Sequence, residues 1–167
     1  MLNEFHRISI NGRYIYCYLC LNNAIVAKNL EDIPEFLDTI LKTFPASSRL
    51  DDWQSEADEV MPSRLFEPQI DKTHYNAISQ EQILTLKEYY QKNELAAILV
   101  ETLLWLGISN LYGGFNSNIT FKELESVIET MNDNKITLPD FSIVSSLSVD
   151  ENSGWGNRVN MNDFLIQ

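Results

Sequence analysis

Cysteine and histidine carry much of the catalysis and metal binding in proteins, and both are scarce in this chain. Cys17 and Cys20 form a Cys-x-x-Cys pair, but the second pair of ligands that a zinc site needs is missing. Because they fall in a strand-like pattern, where they point to opposite faces, and not at a helix N-terminus, we expect ordinary reduced thiols. His6 falls in a strand pattern and His74 in a loop, and neither has a serine or cysteine nucleophile motif nearby. The sequence therefore predicts no catalytic residues and no metal ligands.

Three other stretches could bind an ion or a phosphate, and each has a simpler explanation. Gly113-Gly114 lies in an Asn-rich loop without Lys or Arg, which favours a plain turn over a phosphate-binding loop. Residues 118–124 and 134–141 resemble the second half of a calcium-binding loop. Counting back from Glu123 and from Asp140, both lack most of the oxygen ligands of the first half. Capping boxes and turns account for them, so we expect no calcium and no cofactor.

Two tryptophans lie among carboxylates. Five acidic residues surround Trp53, and an acidic turn precedes Trp155. Tryptophan is a common interface anchor, and carboxylates around it would pair with Lys and Arg of a basic partner. The alternative is that either tryptophan belongs to the core. The candidate partner-binding residues are Asp51, Asp52, Trp53, Glu56, Asp58, Glu59, Asp150, Glu151 and Trp155.

The elements that would position these residues begin with a predicted β-meander over residues 5–28. Alternation along Arg13 to Leu21 indicates a strand, and Asn11-Gly12 before it is a strong hairpin signal. Tyr14, Tyr16 and Tyr18 would then share one face, which is either a further interface or is covered by a helix. A second alternating stretch, residues 141–149, predicts a C-terminal strand.

Apolar residues at helical spacing predict the helices. One runs from Leu30 to Phe44 with Asn29 as its N-cap. Others begin at capping boxes, Ser79 to Gln82 and Thr120 to Glu123. The helix from Glu94 to Leu106 is apolar on nearly every side and is expected to be the central buried one.

Residues 45–78 are the least regular part, with a short helix predicted over 52–60. The order strands, helices, strands predicts an α+β fold. A small antiparallel β-sheet, made of the N-terminal meander and the C-terminal strand, would pack against about four helices.

Length and charge limit the classes of function. The 167 residues suit a single globular domain, 1–167. Lys and Arg total 12 against 24 Asp and Glu, a formal net charge of -12. This balance opposes direct binding of nucleic acid or of an anionic membrane and favours a basic protein partner. The start of the chain has no signal-peptide pattern, and its longest apolar run, Leu95 to Ile108, contains Glu101 and is too short for a bilayer. We therefore expect a cytoplasmic protein.

The whole-chain profile resembles that of the immunity proteins of bacterial polymorphic-toxin and contact-dependent growth-inhibition systems. The shared features are the net charge, Asn-rich loops such as Asn116-Ser117-Asn118 and Asn132-Asp133-Asn134, and the lack of a catalytic motif. The resemblance implies a non-enzymatic protein that binds a basic toxin domain, often a nuclease, and occludes its active site or a nearby surface. The alternatives are another interaction or regulatory module of a phage or mobile element, and, third, an unrecognised hydrolase.

Overall fold

Seven α-helices and six 3-10 turns make up most of the described part of the chain. The structure, a computed structural model, describes residues 2–67, 76–109, 111 and 117–165. In chain order, helices α1 to α7 are Ile10–Lys28, Glu35–Thr43, Leu50–Val60, Pro62–Phe66, Gln80–Lys92, Glu94–Ile108 and Phe121–Asp133. The 3-10 turns are Leu2–Arg7, Phe44–Ala46, Ser117–Thr120, Phe141–Val144, Asn152–Gly154 and Met161–Phe164.

The predicted α+β fold is wrong. The described residues contain no strand and no sheet, and their β-type pairing is limited to one antiparallel bridge between Ile8 and Ser148. Beside it, the Ser9 N–H donates to the Leu147 carbonyl at 2.8 Å. The two chain segments predicted to be the first and last strands do meet here. They do not extend into a ladder, because one side continues as α1 and the other as 3-10 turns.

The most completely buried helix is α1, which the sequence predicted to be a strand. Every residue from Ile10 to Leu21 is buried, and α1 packs against both α6 and α7. A helix that is covered on all sides needs no polar face, so its residues show no helical periodicity. Asn11-Gly12, the predicted hairpin turn, forms the first turn of α1, where the Ser9 hydroxyl accepts from the Gly12 N–H at 3.2 Å. Ser9 is thus the N-cap.

The three tyrosines of α1 are buried and form no common exposed face. Their hydroxyls donate to three separate acceptors: Tyr14 to the Leu41 carbonyl at 3.0 Å, Tyr16 to the Pro139 carbonyl at 3.1 Å, and Tyr18 to the Asp38 carboxylate. Burial raises the pKa of all three phenols. The tyrosines therefore tie α1 to α2 and to the chain after α7, and they are not available to a partner.

The structure contains a helix in each region where one was predicted, but some of the predicted caps are wrong. The capping box of α5 is present: the Ser79 hydroxyl accepts from the Gln82 N–H at 3.2 Å, and Oε1 of Gln82 accepts from the Ser79 N–H at 2.8 Å. Asn29 is wrong as an N-cap, because it is the left-handed C-cap of α1 with a φ of 50°. The second capping box is also wrong, since Thr120 Oγ1 accepts instead from Nη1 of the buried Arg13 at 2.8 Å.

α6 packs against α1, α3, α4, α5 and α7, as a central helix does, but it is not buried on every side as its composition predicts. Ile98 and Trp105 on one side of it are 46% and 42% exposed, while Leu99 and Leu103 on the other side are buried against the core. The short helix predicted over residues 52–60 is confirmed as α3.

Two neighbouring tyrosines of α5 allow a matched test of one buried hydrogen bond. Both are buried, and the Tyr90 hydroxyl donates to the Val60 carbonyl at 2.8 Å. The Tyr89 hydroxyl has no partner among the described residues. We expect Tyr90→Phe to lower the free energy of unfolding by about 1–2 kcal/mol, because the Val60 carbonyl is left without its donor. Tyr89→Phe should leave stability unchanged or raise it slightly. Urea unfolding compares the two, and equal losses would contradict the assignment.

Candidate functional site

Trp53 lies in the core, so its prediction as a partner-binding anchor is wrong. Its side chain is 2% exposed, and its Nε1 donates to the Ile40 carbonyl at 2.9 Å. The indole meets the Phe44 ring edge-on, with the ring centroids 4.7 Å apart. Ala57 lies one helical turn further along α3 and is also buried. This inward stripe fixes how α3 is rotated, and it directs the opposite side of the helix to solvent.

The solvent side of α3 carries three exposed carboxylates, Asp51, Asp52 and Glu56, which we call the acidic ridge. Asp52 binds the Arg49 guanidinium at 2.8 Å, and both side chains are exposed. Asp51 and Glu56 form no ion pair with any described residue. Of the predicted binding carboxylates on α3, these two are therefore the ones that keep their charge available for an external cation.

The other two predicted carboxylates of α3 are occupied within the protein. Glu59 accepts three backbone N–H groups that precede α5, from Asn76, Ala77 and Ile78, at 2.8, 2.8 and 3.1 Å. Glu59 is an anchor for that chain segment, and its assignment to a partner surface stays a prediction that these hydrogen bonds do not favour.

Asp58 forms an ion pair with Arg64 of α4 at 3.1 Å. Burial raises the pKa of its carboxyl group, and the Arg64 guanidinium and Gln54 oppose that shift. Asp58 therefore holds α3 to α4, and its role as a partner-binding residue stays a prediction that this ion pair does not favour.

The second predicted acidic segment is a compact turn. The Glu151 carbonyl accepts from the N–H groups of Gly154 and Gly156, at 2.9 and 3.1 Å. The Asp150 carboxylate accepts from the Ser148 hydroxyl at 3.3 Å, and Asp150 is exposed. Trp155 is half-buried against the core, so part of its indole faces solvent. Glu151 is partly exposed, and the partner-binding role of these three residues stays a prediction.

A glycine sets the position of Trp155. Gly156 has a φ of +84°, and a Cβ placed there would lie 2.4 Å from the Ser9 hydroxyl oxygen. Only glycine allows the chain to pass this close to the start of α1 in that conformation. A hydrogen bond stabilises this close contact between the two chain segments: the Asn11 N–H donates to the Trp155 carbonyl at 3.0 Å. Trp155 is thus held over the first turn of α1.

An open cleft of about 360 Å³, which we call the Trp155 cleft, joins the two predicted segments. Its walls include Asn11, Phe44, Leu50, Asp51, Trp155 and Arg158. Asp51 and Trp155 are distant in sequence, and the structure brings them to one surface. The prediction missed Asn11 and Phe44, because their contribution depends on the helical path of α1 and α2. It also missed Arg158, which adds one exposed cation to the cleft.

The residue types that carry most enzyme chemistry are not gathered together in the described structure. His6 is exposed and packs on the Phe121 ring, with the centroids 4.3 Å apart. Cys17 and Cys20 are free, buried thiols whose pKa burial raises. His74 and the Gly113-Gly114 loop lie outside the described residues. Among the residues that are described, no group of three or more His, Cys, Asp or Glu could hold a metal ion.

The stretches that resemble calcium loops have ordinary structural roles where they are described. Asp140 is the N-cap of the following 3-10 turn, where its carboxylate accepts from the Ser142 N–H at 2.9 Å. This hydrogen bond lowers the pKa of Asp140. Glu123 lies in the first turn of α7, and part of the loop before it lies outside the described residues.

Comparisons of the chain with family models, curated proteins and solved structures give no significant match. None of the helices in the described ranges is both long enough and apolar enough to cross a bilayer. The candidate functional surface consists of the acidic ridge and the Trp155 cleft beside it.

Proposed function

We propose that this chain is a cytoplasmic immunity protein that binds a basic toxin domain and occludes its active site or a nearby surface. The observation that carries the proposal is the pairing of two features on one surface. Asp51 and Glu56 present charge with no described counter-ion, and Trp155 presents a partly exposed indole next to Asp51. An acidic patch with an aromatic anchor is what a Lys- and Arg-rich partner surface would complement.

Binding by this surface needs little rearrangement of the immunity protein. The acidic ridge stands on a helix whose other side is locked by the buried Trp53, and Gly156 holds the backbone of Trp155 against α1. A preorganised surface loses less conformational entropy on association, so more of the interaction free energy appears as affinity. The net charge of -12 adds a long-range field that attracts a basic partner.

The proposed mechanism is steric and electrostatic and includes no chemical step. In a nuclease toxin, the Lys and Arg side chains that hold substrate phosphates form a cationic surface. The ridge carboxylates would pair with those cations, and the Trp155 indole would supply buried apolar area. Arg158 at the cleft would meet a carboxylate or a carbonyl of the partner and help to set its orientation.

The test is capture from a lysate of the native host with tagged protein as bait, followed by mass spectrometry. We expect the wild-type protein to enrich a basic toxin domain, and a bait carrying Asp51→Asn and Glu56→Gln to lose most of that enrichment. The matched control is Glu125→Gln with Glu129→Gln, which removes the same charge from exposed positions on α7. The captured domain should arrest growth when expressed alone and not when co-expressed with this chain.

Two outcomes would contradict the proposal. Equal capture by the wild-type and ridge baits would remove the acidic ridge as the binding surface. A captured partner without toxicity would instead favour the regulatory-module alternative.

A further inference from the structure

A second cleft, of about 490 Å³, opens at the other end of the acidic ridge between α2, α3 and the start of α5. We call it the Phe36 cleft. Its apolar walls are formed by Phe36, Ile40 and Ile78, and two carboxylates, Glu35 and Glu56, belong to its lining. Glu56 is therefore shared between the acidic ridge and this cleft. None of the nine candidate residues predicted from the sequence other than Glu56 lines it.

The wall on the α5 side is held in place by Glu59. The carboxylate of Glu59 accepts the N–H groups of Ala77 and Ile78, which are cleft residues. The opposite wall is a single face of α2, since Phe36 and Ile40 are one helical turn apart. The cleft is thus framed by α2 on one side and by an anchored turn on the other.

The charge of the lining favours a cation over an anion. Glu35 and Glu56 are exposed carboxylates, and none of the described residues that line the cleft is cationic. Helix starts often bind anions through free N–H groups. At the start of α5 the capping box engages the N–H groups of Ser79 and Gln82, and Glu59 engages those of Ala77 and Ile78 just before the helix. An anion would therefore meet two negative charges and find several of the nearby N–H donors occupied.

The apolar walls select a particular kind of cation. A lysine or arginine side chain has an aliphatic stem that packs on apolar surface and a charged head that stays at the polar rim. Phe36, Ile40 and Ile78 would contact the stem, and the two carboxylates would pair with the head. A bare metal ion would leave the apolar walls without a partner, because hard cations need several oxygen ligands.

From this geometry we infer that the Phe36 cleft is a pocket for one lysine or arginine side chain of the partner. The inference deepens and rests on the proposed function, because it assigns a specific anchor to the same basic partner. It also extends the binding surface along α3, from the Trp155 cleft at the start of the helix, along the acidic ridge to Glu56 at its far end, and from there to α2.

The test uses the purified full chain and small probes that mimic the two side chains, n-pentylammonium and n-butylguanidinium. Methyl resonances of Ile40 and Ile78 are followed by NMR during titration at low salt. We expect saturable shifts at both methyls, with millimolar dissociation constants typical of ligands with so few atoms. The variant with Glu35→Gln and Glu56→Gln should weaken binding about fivefold or more, the loss expected for two exposed charge contacts. The control variant with Glu125→Gln and Glu129→Gln should bind as the wild type does.

Two further probes separate the contributions to binding. The neutral 1-pentanol should bind more weakly than n-pentylammonium, and inorganic phosphate should leave both methyls unshifted. Equal binding of 1-pentanol, a phosphate response, or no saturable shift with either cation would each overturn the inference. Because the probes replace the partner, a negative result here leaves the lysate capture unaffected. Likewise, if the lysate capture fails, a positive NMR titration still shows that the Phe36 cleft binds these cations.

Discussion

Replacing Trp53 with alanine is expected to lower the free energy of unfolding by about 3–5 kcal/mol. The indole is almost fully buried, it packs on Phe44, and its Nε1 donates to the Ile40 carbonyl at 2.9 Å. The substitution removes these contacts, opens a cavity and leaves a buried carbonyl without a donor. Since small domains are stable by only about 5–15 kcal/mol, this is a large share of the total.

Trp105 provides the matched control, because its indole is 42% exposed and donates to Glu101 on the surface of α6. We expect Trp105→Ala to cost less than about 1.5 kcal/mol, since surface substitutions remove little buried area. Denaturation in urea at 25 °C measures both changes. A Trp53→Ala protein of nearly wild-type stability that fails to bind its partner would restore Trp53 as a surface anchor and contradict the core assignment.

Gly107→Ala is expected to be the second most damaging single change, with a loss of roughly 2–3 kcal/mol. A Cβ at this position would lie 2.4 Å from Cη2 of Trp53 and 3.2 Å from Cδ2 of Phe44. Both neighbours are packed aromatic rings that cannot rotate aside as a flexible side chain would. Alanine normally stabilises a helix interior relative to glycine by up to about 1 kcal/mol. The predicted loss therefore reverses the usual effect of this substitution.

A double-mutant cycle tests the contact itself. In the Trp53→Ala background the ring that Cβ would strike is gone, so Gly107→Ala should become neutral or stabilising. The coupling free energy should be about 3 kcal/mol, at the upper end for residues in contact. Additive effects of the two substitutions would show that α6 and α3 do not meet at this point.

The failure of the fold prediction comes mainly from α1. Aromatic and β-branched residues with Asn11-Gly12 before them are typical of a hairpin, and burial on every side removed the polar face that would have indicated a helix. The decisive local signal was Ser9, whose hydroxyl caps the Gly12 N–H, but a serine before a turn is also compatible with a hairpin. Tertiary contacts with α6 and α7 decide between the two, and a single sequence does not contain them.

The C-terminal segment failed for a related reason. Residues 141–149 alternate as a strand does, yet the region folds into 3-10 turns, with Asp140 capping the first of them. Helices with one polar face, such as α5 and α7, were predicted correctly because their periodicity is visible without knowledge of their neighbours.

The candidate surface was predictable in part. Local composition marked two acidic segments, and each keeps exposed carboxylates in the structure. Composition alone could not separate Asp51 and Glu56 from Asp58 and Glu59, because that difference depends on Arg64 and on the backbone before α5. Nor could it show that Trp53 turns inward, since the apolar stripe of α3 is short.

The most direct test of the central claim is the salt dependence of association with the captured partner. For the wild-type protein, we expect the association rate constant to fall about tenfold or more between about 50 and 500 mM NaCl, because screening removes the steering field. The variant with Asp51→Asn and Glu56→Gln should associate more slowly at low salt and show a shallower dependence than the α7 control variant with Glu125→Gln and Glu129→Gln. Trp155→Ala should instead act mainly on the dissociation rate constant. Identical salt dependence for the ridge variant and the α7 control would contradict the account.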